Sequence, residues 1–316
     1  MSGNKGVCPE WTEAELEAER RSFQQRAERY RQMRKFMATS SSDYPSSIRA
    51  AYLELFWTLQ SIPPPPHQPE FVNNLCEYYG DTGPGIYLEV WDVVFGTFQR
   101  RNNLTAAHIF PWCMGQRSMD YIFGEQAEGQ LNSARNGLFL HPDIKNAFDK
   151  HQVVVVPDGP QTTPQEYKFL VLENGLFDCC PTVNSDLKYK DLHGRRLRFQ
   201  PDNPFRPRAC YLYFHYLQAV LERIRSRNSA HGTQSSNRDM LELLSLWTIQ
   251  GKYLRKNLIL AFIEAVGHGL PDEGKQDMLK HSNAEVAPDE LARAKWSVER
   301  LDLDSDDEDD DDDDWH

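Results

Sequence analysis

The side chains best equipped for chemistry lie close together between Leu104 and Pro157. One histidine, His108, sits inside the short apolar segment Leu104 to Phe110. Downstream come Arg135 and Asn136, then His141, Asp143, Lys145, Asn146, Asp149 and Lys150 in one short run. An imidazole exchanges protons near neutral pH, carboxylates and amides offer hard oxygen donors, and guanidinium and ammonium groups meet phosphate. Proton transfer beside an anion is therefore within the means of these residue types, although spacing alone does not assign the roles.

Short elements must position them. Leu104 to Phe110 is mostly strand-compatible. Arg135-Asn136-Gly137 carries an Asn-Gly pair, which predicts a tight turn with positive φ between short strands. Pro142 suits the first position of a helix that would place Ile144, Ala147 and Phe148 on one face. Val153 to Val156 predicts a fully buried strand. The expected order is strand, excursion, turn, strand, helix.

Ala106-Ala107-His108-Ile109, Asn136-Gly137-Leu138 and Phe148-Asp149 stand in this order. In that order and those residues the chain resembles the HNH endonuclease superfamily, in the branch whose signature begins Ala-Ala-His-Ile. Arg208 to Leu221 and Gly251 to Ala261 are similar to the C-terminal segments of HNH-domain proteins from filamentous fungi. The likeness covers roughly residues 85 to 267. It implies an α+β protein, a small ββα-metal core embedded in a mainly helical chain. It also implies a metal-dependent nuclease that hydrolyses phosphodiester bonds in DNA. His108 would be the general base and Asn136 the amide that pins the hairpin loop and so orients the imidazole.

The metal site departs from that pattern. The resemblance places a histidine ligand where this chain has Lys145, in the run Asp143-Ile144-Lys145-Asn146-Ala147-Phe148-Asp149. A protonated lysine has no lone pair and repels a cation. Substitute ligands would come from His141, Asp143, Asn146 or Asp149, a set compatible with Mg²⁺ or Mn²⁺. Arg135, Lys145 and Lys150 are the implied phosphate contacts. Two accounts stay open. In one, His108 works with a displaced ligand set and Lys145 touches the phosphate. In the other, the ββα fold persists for packing as a nucleic-acid- or protein-binding module, and His108 is a structural histidine.

The 316 residues suffice for a sizeable core. No apolar run reaches the ~18 residues that span a bilayer, and the first residues lack the apolar core of a secretory signal. No membrane association is expected, and the expected location is the nucleus or cytoplasm. The six cysteines form no Cys-x-x-Cys pair, which argues against a zinc knuckle and a disulfide framework. Adjacent Cys179 and Cys180 are expected to be buried or idle. The net charge of −12 is concentrated: Asp302 to Asp314 holds eleven carboxylates and no base. The rest of the chain is near neutral, so a local basic groove is compatible with the composition.

Residues 1–62 predict a helical arm and a second helix. Leu16, Phe23, Tyr30 and Met37 form a narrow seven-residue seam, which lies on the body or joins a partner as a coiled coil. Residues 63–84 predict a Pro-rich linker and a short helix at Pro69 to Tyr79, and 85–158 the HNH-like core, entered by a helix from Ile86 to Arg100. Arg100 and Arg101, at that helix end, face either phosphate or solvent. Residues 159–270 predict a strand pair and a helical buttress: a strand at Tyr167 to Glu173, a strand pair across Leu187 to Phe199, and helices at Pro207 to Arg227, Arg238 to Ile249 and Lys252 to Val266. In the first of these helices Tyr211, Phe214, Leu217, Leu221 and Ile224 make one stripe, with His215 beside it as a packed core histidine. Residues 271–316 predict a polar, acidic, disordered tail.

Overall fold

In the computed structural model the described residues are 69–80, 89–124, 127–182, 187–231, 237–266 and 272–283. The N-terminal arm and its seam, the helix expected after it, the proline run and the acidic stretch from Asp302 lie outside them. Among the described residues the protein is α+β, with short two-stranded sheets between helices.

Helix α1 (Pro69–Tyr79) buries Phe71, Leu75 and Tyr79, spaced four apart along one face. Strands β1 (Glu89–Asp92) and β2 (Thr97–Arg100) follow as an antiparallel hairpin, Glu89 opposite Arg100. The helix expected from Ile86 to Arg100 is therefore wrong. Val90, Val93 and Val94 have helical spacing and are buried, but they are β-branched. The Asp92 carboxylate also accepts from the amides of Val94 (2.8 Å) and Phe95 (3.1 Å), and Gly96 has φ +69°, which together close a turn. Burial raises the Asp92 carboxyl to about 6, against the two backbone hydrogen bonds.

Strand β3 (Thr105–His108) pairs antiparallel with β4 (Gly137–Leu140), and helix α2 (Gly115–Phe123) lies in the excursion between them. Helix α3 (Pro142–Asp149) follows β4 at once, with Pro142 in its first turn and Ile144, Ala147 and Phe148 buried, as expected. The Asn-Gly turn is not as expected. Asn136 closes a 3₁₀ turn from Ala134, and Gly137 is extended at φ −149°. Packing, not a left-handed backbone, requires this glycine: a Cβ would lie 2.5 Å from Phe71 Cζ.

Strand β5 (Val153–Pro157) is buried throughout and pairs antiparallel with β6 (Tyr167–Val171). The pair expected across Leu187 to Phe199 is instead the short helix α4 (Tyr189–Leu192), begun by a Lys188 amide bond to the Asp191 carboxylate (2.8 Å), and one isolated bridge from Arg196 to Lys168. Cys179 and Cys180 are exposed thiols rather than buried ones.

Helix α5 (Ala209–His231) runs through the core of the described residues and packs against β5. Every residue from Cys210 to Leu221 is buried, so the expected single stripe is a fully enclosed segment. Helix α6 (Asn237–Leu244) stops short of the expected end, because Trp247 and Ile249 are buried from non-helical backbone. Strand β7 (Leu254–Arg255) and helix α7 (Lys256–Val266) follow. Part of the stretch expected to begin the tail is folded. Helix α8 (Asp272–Leu279) buries Met278, and β8 (Ser282–Asn283) runs parallel to β7. One apolar core connects these elements. Among the described residues no helix is long and apolar enough to cross a membrane.

Candidate functional site

The site is built from the closed end of the β3–β4 pair. His108 ends β3 directly opposite Gly137, so its side chain leaves the sheet where the excursion begins. Asn136 holds that point. It is wholly buried, and its backbone carbonyl accepts from the amide of Ile109 (2.9 Å). Its side-chain Oδ1 accepts from the amide of Phe110 (2.8 Å), while Nδ2 donates to the carbonyls of Phe110 (3.1 Å) and Leu131 (2.9 Å). Every hydrogen-bonding position used by this amide fixes chain that leaves or re-enters the hairpin.

Gln116 does the same for the middle of the excursion. Its Nε2 donates to the Ala127 carbonyl (2.6 Å) and the Asp120 carboxylate (2.7 Å), and its Oε1 accepts from the Leu131 amide (2.9 Å). Gln116 went unnoticed in the sequence because nothing local marks a carboxamide whose partners lie up to fifteen residues away.

Helix α1 is the second contributor that the sequence did not assign to the site. The Phe71 ring stacks on the His108 imidazole, with centroids 3.5 Å apart and planes 17° from parallel. Asn74 Nδ2 donates to the Asn132 carbonyl (2.9 Å), and Asn132 Nδ2 donates to Glu70 (3.0 Å), tying α1 to the excursion. Burial lowers the His108 pKa to about 3; the Asn132 side chain opposes the shift and the Lys145 ammonium adds to it. The imidazole is thus neutral at physiological pH. His108 is half-buried as a residue, but its Nε2 is enclosed and has no hydrogen-bond partner. Asn132 Oδ1 likewise lacks one, so Asn132 acts on the ring by proximity rather than through a well-formed bond.

Helix α3 brings up the remaining expected residues. Lys145 is half-buried and is hydrogen-bonded to Asp149, one turn along the same helix. His141, just before the helix, has Nδ1 3.8 Å from Asp143 Oδ2 and no hydrogen bond at that nitrogen. Asn146 and Lys150 are exposed. The helix is seated from behind by His215, which stacks on Phe148 (3.7 Å, 7°) and donates through Nε2 to the Phe148 carbonyl (3.0 Å). Burial keeps His215 far below the ordinary histidine pKa, with His151 adding to the shift. It is the packed core histidine that the sequence implied.

Of the expected phosphate contacts, Arg135 is exposed, with its guanidinium 5.4 Å from the Phe205 ring and bonded to the Arg206 carbonyl (3.5 Å). Arg101 is taken up by structure: it donates to the Leu104 carbonyl (2.7 Å) and lies 4.8 Å over Phe139.

The superfamily's use of a divalent cation sets a test for these donors. Among the described residues, no three His, Cys, Asp or Glu side chains converge as a metal site would require. Of the expected set His141, Asp143, Asn146 and Asp149, the Asp149 carboxylate is bonded to Lys145, His141 lies 3.8 Å from Asp143, and Asn146 is exposed. The described residues do not fit the ion.

No curated protein and no solved structure matches the chain. The family model described as HNH endonuclease matches residues 92–156. That match spans the hairpin, its excursion and α3, and the segment from Asp92 to Val156 belongs to the HNH endonuclease superfamily.

Proposed function

We propose that this domain hydrolyses phosphodiester bonds in nucleic acid, with DNA as substrate and His108 as the general base. The observation that carries this reading is the junction of hairpin and helix. An imidazole stands at the strand end, the Asn136 amide fixes the chain that follows it, and the next helix packs against β3 and carries Lys145. A neutral imidazole keeps a lone pair ready to accept a proton from water, although the low pKa makes it a weak base. Asn136 is a positioning residue. Lys145, with Arg135 and Lys150, would contact phosphate and offset negative charge on its oxygens. Mg²⁺ or Mn²⁺ would supply such charge in the superfamily, but the donor pairs found here give it no ligand set.

Plasmid nicking by the full chain tests the reading. His108→Ala should lose roughly 10²–10⁴ in rate. Equal nicking by that variant would remove His108 from catalysis.

A second reading, a binding module that has lost catalysis, is favoured by the Phe71 ring lying on the imidazole. It predicts duplex binding without cleavage under any ionic condition. Cleavage by the native chain that His108→Ala abolishes would exclude it.

A further inference from the structure

We propose that Lys145 occupies the place of the divalent cation, so that a nucleic-acid phosphate is held by its ammonium and no divalent ion binds beside His108. The proposal rests on the reading above in one respect, that this face meets nucleic acid.

The position of Lys145 is fixed by structure. Pro142 starts α3 immediately after β4, and the buried faces of Ile144, Ala147 and Phe148 set the helix's rotation. Phe148 is further clamped by His215. Lys145 then stands half-buried on a helix that packs against β3, and its charge disfavours a second positive charge on the His108 ring. A divalent ion in the same space would meet that repulsion at twice the charge.

Among the described residues, the donors that might have compensated do not converge as three. Asp149 is bonded to Lys145, and His141 and Asp143 face each other 3.8 Å apart. Mg²⁺ requires near-octahedral oxygen ligation and gives up water reluctantly, so two donors beside an ammonium make a poor site. A phosphate oxygen, by contrast, is what an ammonium accommodates as a point charge. It can share Lys145 with Asp149 or displace that carboxylate, whose side chain is partly exposed. The enclosed Nε2 of His108, which has no hydrogen-bond partner, supplies a second polar atom in this neighbourhood.

Two measurements on the full chain test this. In the first, histidine-ring carbon-labelled protein is titrated with Mn²⁺ and followed by NMR, with the His108 signal assigned by its loss in His108→Ala. The titration is repeated with residues 302–316 removed, and only broadening that survives their removal counts as an ion beside His108 rather than one gathered by the eleven carboxylates of that stretch. The His108 signal should stay sharp in the native chain and broaden in Lys145→His. Broadening in the native chain would overturn the proposal.

In the second, anisotropy of a labelled DNA duplex is read in EDTA. Binding should not require Mg²⁺, should weaken in Lys145→Gln, and should persist in Lys145→Arg. The slope of log affinity against log salt should flatten in Lys145→Gln by about 0.9, one phosphate contact on a duplex. Unchanged affinity and slope in that variant would overturn the proposal, as would binding that requires Mg²⁺. Duplex binding without cleavage would remove only the nuclease reading. Mn²⁺-dependent cleavage with a broadened His108 signal would remove only this one, and no duplex binding at low salt would remove both.

Discussion

Asn136 and His108 divide the work of the hairpin end between geometry and chemistry. Asn136 makes its bonds from a wholly buried position, so its loss leaves main-chain groups of Phe110 and Leu131 without partners. Asn136→Ala should cost about 3 kcal/mol of unfolding free energy, measured by chemical denaturation. His108 carries the opposite liability, a ring that must stay neutral. Its folded pKa of about 3 lies below the ordinary 6.5, so between those values the unfolded chain binds more protons than the folded one. Stability from this group is complete above about pH 6.5 and declines as pH falls toward 3. His215, shifted in the same direction, adds to the slope. His108→Gln should flatten the decline in stability across that window, as read from denaturation midpoints at successive pH values. An unchanged slope would show that the ring is hydrated rather than buried.

At the scale of elements, the decisive contact is α1 against the hairpin. Phe71 covers the imidazole, and the same ring lies so near Gly137 that any side chain there would collide with it. Gly137→Ala should force α1 away from β4 and destabilise the fold by about 1–3 kcal/mol. It should also raise the His108 pKa toward 6.5, since desolvation is the main cause of its depression. Denaturation and an NMR titration of the ring check the two outcomes separately. A destabilised variant with an unmoved His108 pKa would mean that α1 contributes packing but not the dry environment. The pair Asn136-Gly137 therefore has a different origin from the one its turn chemistry implied. The amide serves as a clasp, and the glycine leaves room for a helix from outside the motif.

At the scale of the whole molecule, charge and core are set by different parts of the chain. The core runs through α5, whose enclosed segment from Cys210 to Leu221 supports both β5 and, through His215, the helix that carries Lys145. The net charge of −12 arises almost wholly from the eleven carboxylates between Asp302 and Asp314. Such a segment competes with DNA for basic residues, and the competition is screened by salt. Removing residues 302–316 should therefore raise duplex affinity, most strongly at low ionic strength, in a filter-binding or anisotropy assay. Equal affinity at all salt concentrations would show that the segment does not meet the DNA-binding face.

The sequence by itself determined the local order of the site. The apolar run Leu104 to Phe110, within which the strand Thr105–His108 forms, Pro142 at a helix start, the Ile144, Ala147 and Phe148 face and the four valines from Val153 are short-range signals that the structure bears out. It also identified Lys145 as the residue out of place. A helical spacing concealed a local turn where Asp92 caps Val94 and Phe95 and Gly96 takes positive φ, and a contact from elsewhere prevailed where Met278 and His281 are buried from an apparently tail-like segment. Only the tertiary structure decided that α1 would lie on His108 and that Gln116 would brace the excursion. Those outcomes depend on distances between residues far apart in the chain, whereas propensity and periodicity register only a residue's near neighbours.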